Sequence, residues 1–225
     1  MNLLSHPIVA IIFDMDGLML DTERMAQRAW QRAGAEFGYD FSEEIYLHAV
    51  GRTAPATEAL FRQSFGPGFP FEQIYARKQE YLYGAIDREG IPTKPGLLEL
   101  LEWLDQRQIA KAVATSTARP LAMRKLTAAK LLDRFSAIVC GNEVPNGKPA
   151  PDIFLAAAQL LDVAPDACIV LEDSTAGIKA AHAAGMQSIM VPDLIQPTAE
   201  ITALADRVLP SLHQVLELLN HSSTD

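Results

Sequence analysis

Six short runs rich in valine, isoleucine and alanine alternate with stretches of helical pattern along the chain. A run that stays apolar throughout is typical of a strand buried on both faces, because a strand with one exposed face alternates apolar and polar residues. The runs are Ile8 to Phe13, Ile109 to Thr115, Ala137 to Cys140, Cys168 to Glu172, Gln187 to Val191 and Arg207 to Leu209. The alternation predicts an α/β fold with a doubly wound, Rossmann-like parallel sheet covered by helices.

The segment from residue 21 to residue 93 interrupts this alternation, since it holds helical patterns and no convincing buried strand. Its helical stretches are Glu23 to Phe37, Ala54 to Phe65 and Phe71 to Asp87. We therefore expect a core domain of residues 1–20 and 94–225, and a small all-helical cap domain of residues 21–93 inserted after the first strand. Ligands of open α/β sheets bind beyond the carboxyl ends of the strands, where such an insert would lie. A bundle that only stabilises the fold is the alternative.

The chain carries a formal net charge of −9, which bears on its partners. This balance argues against general binding to nucleic acid or to an anionic membrane, although a local basic pocket could still bind a small anion. No apolar run approaches the roughly 20 residues of a membrane-spanning helix, and the N-terminus lacks a cleavable leader pattern. We expect a cytoplasmic protein and, by default, a monomer.

Two carboxylates, Asp14 and Asp16, directly follow the first apolar run and precede Gly17. Side chains at positions i and i+2 of a strand point to the same side, so both acids can share one small volume. Two anions held together require a cation or a shared proton, because each raises the cost of ionising the other. A plain turn after a buried strand is the alternative interpretation.

Polar groups also follow the next two runs. Thr115 and Ser116 combine a hydroxyl with backbone N–H groups at a strand-to-helix junction, an arrangement suited to phosphate oxygens, although such residues also cap helices. Lys148 lies between Gly147 and Pro149 in a turn that leads into a helix. A lysine held in a rigid turn could neutralise both the acids and a bound phosphate.

The fourth run ends at Glu172, and Asp173 follows it directly. Adjacent residues of a strand face opposite ways, so only one of these acids can meet the Asp14 pair directly, and the other would act through water or by positioning a neighbour. Carboxylates without nearby histidine or thiol groups suit a hard cation that prefers oxygen ligands. The sequence therefore predicts a site for Mg²⁺ and a phosphoryl group at the carboxyl ends of these strands.

This set of residues resembles the haloacid dehalogenase superfamily of phosphatases, in the branch whose helical cap follows the first core strand. That branch includes β-phosphoglucomutase-like and pseudouridine-5′-phosphatase-like proteins. The resemblance covers nearly the whole chain, and four segments carry it. They are Asp14-Met-Asp16-Gly-Leu-Met-Leu-Asp21-Thr22, Thr115-Ser116, Gly-Lys148-Pro-Ala-Pro-Asp and Glu172-Asp173-Ser174-Thr-Ala-Gly.

The resemblance implies a catalytic role for each motif. Asp14 would be the nucleophile that forms an aspartyl-phosphate, and Asp16 the general acid and then the general base. Thr115, the N–H of Ser116 and Lys148 would bind the phosphoryl oxygens. The Mg²⁺ ligands would be a carboxylate oxygen of Asp14, the main-chain carbonyl of Asp16 and Asp173, with Glu172 in or just outside the coordination sphere.

The same resemblance favours hydrolysis of a small phosphorylated metabolite, such as a sugar phosphate or a nucleoside-type phosphate. Mutases of this branch carry a histidine early in the first cap helix, and residues 23–27 contain none. A phosphosugar mutase and a non-catalytic, phosphorylatable regulatory protein are the alternatives. In the cap, Arg52 and Lys78 could contact the leaving group, although a solvated surface role is equally compatible with either residue.

Overall fold

A computed structural model describes residues 9–50 and 54–222 of the chain, without the side chains of residues 54–56 and 222. It divides into two compact units. One is a core unit that takes its residues from Met1–Leu20 and Pro92–Asp225, and the other is a helical unit that spans Asp21–Ile91.

The core unit is built on a parallel sheet whose described part has six strands in the order β3-β2-β1-β4-β5-β6. The strands are β1 (Ala10–Phe13), β2 (Ala110–Thr115), β3 (Ala137–Cys140), β4 (Cys168–Glu172), β5 (Gln187–Met190) and β6 (Arg207–Val208). All six apolar runs therefore form strands, and the predicted doubly wound fold is confirmed. Ile8, the predicted start of the first strand, lies outside the described residues.

The position of β1 decides which residues can meet at the edge of the sheet. β1 pairs in parallel with both β2 and β4, and Phe13, its last residue, is in register with Val113 and Leu171. Chain order reverses at β1, because β2 and β3 lie to one side of it and β4 to β6 to the other. Such a switch point opens a crevice at the carboxyl ends of the strands, which is where the predicted motifs begin.

Helices connect or follow the strands of the core unit and bury apolar residues in its interior. They are α5 (Leu97–Gln106), α6 (Arg119–Ala128), α7 (Asp152–Leu161), α8 (Thr175–Ala183), α9 (Ala199–Leu204) and α10 (Leu212–Ser222). Three-residue 3-10 turns lie at Leu132–Arg134, Gly141–Glu143 and Pro165–Ala167. On one face of the sheet, Ile12 and Val170 belong to the same buried cluster as Phe154 and Ala157 of α7 and Ala181 of α8.

The helical unit contains α1 (Thr22–Glu36), α2 (Glu43–Ala49), α3 (Ala54–Phe65) and α4 (Phe71–Glu89). Its interior is a cluster of aromatic rings, which we call the aromatic core: Trp30, Phe41, Phe61, Phe69 and Phe71. The Trp30 ring stacks on Phe41 with their centroids 5.3 Å apart and meets Phe61 edge-on at 5.0 Å. Burial of such large rings is a major source of stability in a small unit.

The chain leaves and re-enters the core unit through one short junction. Leu20 and Thr93 form an isolated antiparallel β-bridge, and the N–H of Lys94 donates to the carbonyl oxygen of Met19 at 2.8 Å. Among the described residues, no helix combines the length and apolarity needed to cross a bilayer.

Candidate active site

The first loop, from Asp14 to Leu20, forms a tight turn directly after β1. The N–H groups of Met19 and Leu20 both donate to the carbonyl oxygen of Met15, and the N–H of Gly17 donates to that of Leu20 at 2.9 Å. Gly17 has a φ of +89°, a conformation that glycine adopts without steric cost. A Cβ at this position would overlap the Asp173 carboxylate, so the turn requires glycine and brings the fourth strand end against the first loop.

Asp14 lies in a buried ion-pair network centred on Lys148. The Lys148 ammonium donates to Asp14 Oδ1 at 2.5 Å, to Glu172 Oε1 at 2.7 Å and to the carbonyl oxygen of Ala114 at 3.0 Å. These three bonds match the three protons of an ammonium group. Its nitrogen also lies 4.8 Å from the centroid of the Phe154 ring. The network joins the ends of β1, β2 and β4 with the turn that carries Lys148.

Glu172 holds Lys148 in place through its own buried side chain, which is 1% exposed. Its Oε2 accepts from the N–H of Ser174 at 2.7 Å, while Oε1 accepts from Lys148. Gly177 in the first turn of α8 makes room for this carboxylate, because a Cβ there would overlap it. Glu172 thus positions a neighbour of Asp14, whereas Asp173 lies directly against the first loop.

Asp16 has a different set of partners. Its Oδ1 accepts from Lys125 at 2.5 Å, and its Oδ2 accepts from the Thr117 hydroxyl at 2.7 Å. Neither partner was singled out as a site residue from the sequence. A signal for Lys125 exists nevertheless, because Ala122, Lys125 and Leu126 together form the buried face of α6. A lysine at an apolar position of a helix needs a buried acid or another polar partner.

The loop after β2 supplies the predicted hydroxyl and backbone groups. Thr115 is buried and its Oγ1 accepts from the N–H of Thr117 at 3.1 Å, whereas Ser116 is exposed. Gly141, directly after β3, approaches this loop so closely that a Cβ would overlap the carbonyl oxygen of Ser116. The structure therefore brings Thr115, Ser116 and Lys148 to the same edge of the sheet as the acids.

The electrostatics of Asp14 follow from its burial. Burial raises its pKa, Lys148 opposes that increase, and the charges of Glu172 and Asp16 add to it, so that the pKa rises from 3.8 to about 7. Burial alone would lower the pKa of Lys148, but the charges of Asp14 and Glu172 outweigh burial and raise it above its usual value. Negative charge is in excess around Asp14, and an added cation would favour its ionised form.

The oxygen donors at this edge fit a hard divalent cation. Asp14 and Asp173 offer carboxylates, and Asp16 offers its main-chain carbonyl. Within residues 9–50 and 54–222, no group of three or more His, Cys, Asp or Glu side chains forms a ready-made metal cage. Mg²⁺ needs no such cage, because it is commonly held by one or two carboxylates with water and substrate phosphate completing its octahedron. The Glu172 carboxylate is already engaged at both oxygens.

The two residues predicted to contact the leaving group belong to the helical segment. Arg52 lies outside the described residues. Lys78 is 9% exposed, and its ammonium lies 5.7 Å from the ring centroid of Trp30 and 5.8 Å from that of Tyr75. It also donates to Gln79 Oε1 at 3.4 Å. The structure thus places Lys78 beside the aromatic core of the helical unit.

Comparison with known proteins gives a consistent family assignment. A family model described as haloacid dehalogenase-like hydrolase matches residues 11–191. A probable pseudouridine-5′-phosphatase of Drosophila melanogaster is 35% identical over 217 residues, which cover 94% of this chain and 93% of that protein. A phosphorylated carbohydrates phosphatase of Thermotoga maritima is 33% identical over 182 residues, which cover 80% of this chain and 83% of that protein.

Solved structures agree with the sequence relatives. The crystal structure of a haloacid dehalogenase family hydrolase from Deinococcus radiodurans, with bound phosphate and sodium, superposes with a TM-score of 0.81. The two chains are 27% identical, and the match covers 96% of this chain and 97% of the other.

Proposed function

The chain belongs to the haloacid dehalogenase-like hydrolases, and from that membership we propose that it hydrolyses a small phosphomonoester through a phosphorylated Asp14. Its named relatives are phosphatases, so the chain is a phosphoric monoester hydrolase. A sugar phosphate or a nucleoside-type phosphate is the proposed substrate class. The observation that carries the proposal is the buried ion-pair network in which Lys148 bonds both Asp14 and Glu172. The next residue after Glu172 is a further carboxylate, Asp173.

In the first proposed step, an ionised carboxylate oxygen of Asp14 attacks phosphorus. The bond from phosphorus to the leaving oxygen breaks, and Asp16 gives its proton to that oxygen. Lys148 favours the ionised form of Asp14 that this step needs. Asp16 follows Asp14 by two residues on the first loop and would act on the same phosphate ester. Its own hydrogen-bond partners are Lys125 and Thr117.

In the second step, Asp16 takes a proton from a water molecule, and the water oxygen attacks phosphorus. The bond between phosphorus and Asp14 breaks, inorganic phosphate leaves, and Asp14 is regenerated as a carboxylate. A group that acts as acid in one step and base in the next returns to its starting state after each turnover.

The phosphoryl oxygens would be bound by Thr115, the N–H of Ser116 and Lys148. Since all three Lys148 protons already have acceptors, a phosphoryl oxygen would replace or share one of them. Donors that are fixed before the substrate arrives stabilise the charge that spreads over the phosphoryl group in the transition state.

Haloacid dehalogenase-like phosphatases in general use Mg²⁺, and we propose that this chain does so as well. Asp14, Asp173 and the carbonyl of Asp16 would hold the ion, with Glu172 outside its ligand set as a partner of Lys148. When bound, Mg²⁺ supplies positive charge that offsets the repulsion between the phosphate and the carboxylates.

We propose further that residues 21–93 act as the cap that selects the leaving group, with Arg52 and Lys78 as candidate contacts. The core residues would bind the metal ion and the phosphoryl group, and every phosphomonoester has the same phosphoryl group. Selectivity between phosphorylated metabolites would therefore come from the helical unit.

The test is phosphate release from a panel of sugar and nucleoside phosphates, with and without Mg²⁺. We expect the wild type to need the metal and Asp14→Asn to release no phosphate while its circular dichroism stays unchanged. Asp133→Asn, which changes an exposed acid of the core unit, is the matched control and should keep full activity.

Three results would contradict the proposal. Equal turnover by Asp14→Asn would remove Asp14 from the mechanism. Interconversion of sugar phosphates without phosphate release would indicate a mutase. Stable phosphorylation from an acyl phosphate donor, without turnover, would indicate a regulatory protein.

A further inference from the structure

The two oxygens of the Asp16 carboxylate are held by residues that lie outside the four motifs or at their edge. Lys125 reaches Oδ1 from α6, and Thr117 reaches Oδ2 from the loop after β2. The Lys125 side chain is 10% exposed and that of Asp16 is 22% exposed, so this ion pair is largely withdrawn from water. We call Lys125 and Thr117 the Asp16 clamp.

The Asp16 clamp acts on a side chain whose backbone is already fixed. Hydrogen bonds from Met19 and Leu20 to Met15, and from Gly17 to Leu20, close the first loop without any contribution from α6. Loss of Lys125 would therefore remove a bond that orients the carboxylate, while Thr117 still reaches Oδ2 and the course of the loop stays unchanged. The orientation of the Asp16 side chain therefore depends on Lys125, whereas the backbone of the loop does not.

The two acids of the first loop are each matched to a lysine of their own. Lys148 gives its three protons to Asp14, Glu172 and the carbonyl of Ala114, and Lys125 donates to Asp16. The partners of Asp16 also differ in kind, because a hydroxyl can either donate or accept whereas an ammonium can only donate. The Thr117 hydroxyl can thus stay bonded to Asp16 both when the Asp16 carboxyl group is ionised and when it is protonated.

We propose that the Asp16 clamp consists of positioning residues that hold the Asp16 carboxylate in the orientation needed to exchange a proton with the leaving oxygen and then with water. This inference rests on the proposed function of Asp16. Proton transfer by a side chain contributes about 10²- to 10⁴-fold to rate and depends on correct geometry. A carboxylate that is held less firmly would lose part of that rate factor without weakening substrate binding.

The test compares Lys125→Met with Lys125→Arg on two substrates that differ in leaving group. One is an alkyl phosphate that the wild type hydrolyses, and the other is p-nitrophenyl phosphate, whose phenolate leaves without help from an acid. With the alkyl phosphate we expect Lys125→Met to lower kcat by at least about tenfold with little change in KM, and Lys125→Arg to recover part of the loss. Lys130→Met removes an exposed lysine just after α6 and should behave as wild type.

Rapid-mixing kinetics with p-nitrophenyl phosphate separate the two steps. In Lys125→Met, the first equivalent of p-nitrophenol should still appear in a burst, because the phosphoryl group reaches Asp14 without an acid. Steady-state turnover should then fall, because hydrolysis of the aspartyl-phosphate needs Asp16 as a base. A purely structural role would slow the burst and the turnover together, and that result would overturn the inference.

Unchanged kcat in Lys125→Met on both substrates would also overturn it. If Lys125→Met fails to fold, Thr117→Val and Thr117→Ser decide the question, since only the serine variant keeps the hydroxyl and should keep the wild-type kcat. A wild type that shows neither burst nor turnover on any phosphomonoester would instead refute the proposed function itself, so the two failures are distinguishable.

Discussion

The core unit and the helical unit bury different kinds of side chain. At the strand ends of the core unit, Asp14, Glu172 and Lys148 are withdrawn from water as charged partners. In the helical unit, rings such as Trp30 and Phe61 fill the interior. Buried charges lower the stability of the fold unless each is paired, whereas burial of apolar rings raises it. The comparison indicates that the core unit keeps buried charges at an energetic cost, whereas packing of apolar rings stabilises the helical unit.

The largest effect is expected from Lys148→Met, which removes the cation shared by the two buried acids. We expect phosphatase activity to fall by about 10²- to 10³-fold or more, since the proposed donor to the phosphoryl group is lost. The free energy of unfolding should fall by about 3–5 kcal/mol, because two carboxylates stay buried without their partner. Activity assays and urea denaturation measure the two effects.

Lys179→Met is the control for this substitution, because its partner Glu200 is exposed and the pair lies on the surface. It should change stability by less than about 1 kcal/mol. A loss of similar size in both variants would mean that the buried network has no special role.

Trp30→Ala tests the other side of the comparison. Removal of this ring from the aromatic core should cost about 3–5 kcal/mol of local stability. Hydrogen exchange should show faster exchange at amides of α1 and α4, with protection retained in β1 and β4. Trp30→Phe keeps most of the ring area and should lose less. Equal loss of protection in the sheet would contradict the division into two units.

The pH dependence of stability is expected to differ between wild type and Asp14→Asn in the presence of a chelator. Because the pKa of Asp14 is raised from 3.8 in the unfolded chain to about 7 in the fold, the folded state holds the proton more tightly. The contribution of Asp14 to wild-type stability should therefore fall as pH rises between these two values. Asp14→Asn removes this dependence and should be more stable by up to about 4 kcal/mol at pH 8, with little difference at pH 4.

Urea denaturation at several pH values measures this difference. A gap between wild type and Asp14→Asn that stays constant from pH 4 to pH 8 would show that Asp14 ionises normally. Added Mg²⁺ should stabilise the wild type more than the variant, since the carboxylate is one of the proposed ligands.

The smallest effect is expected from Gly17→Ala. A side chain at a φ of +89° costs about 1–2 kcal/mol, and the new Cβ must also displace Asp173. We expect a modest loss of stability together with a higher Mg²⁺ concentration for half-maximal activity and a smaller thermal shift on Mg²⁺ addition. Gly185→Ala, at a φ of +69° where an added Cβ meets nothing within 4 Å, is the control because it brings the backbone strain without the overlap. Unchanged metal dependence would exclude Asp173 as a ligand.

Much of the core unit could be predicted from sequence because buried parallel strands leave a local signature. Each apolar run predicts a strand. Because the strands are parallel, the polar residues that directly follow the runs are expected at one edge of the sheet. α2 and α9 were not predicted, since helices of seven and six residues contain too few turns to establish a period. α10 was likewise not singled out, although it packs against α5.

The candidate site was predictable where its residues directly follow strands, and less so elsewhere. Asp14, Asp16, Lys148 and Glu172 come together as expected because the topology brings their strands or turns together. Lys125 could not be assigned in the same way, because its partner lies 109 positions away and depends on how α6 packs. Its place beside Ala122 and Leu126 marks it as inward-facing, but the sequence alone does not identify the acid that it meets.

The Leu20–Thr93 bridge has a consequence for how such chains diversify. Because the departing and returning segments are already hydrogen-bonded to each other, the sheet does not depend on the intervening residues to bring Leu20 and Thr93 together. An insert of other length or composition could be grafted between these two positions with little disturbance to the strands. The junction is therefore a point at which the chain can accept a different intervening segment while the pairing of the strands is kept.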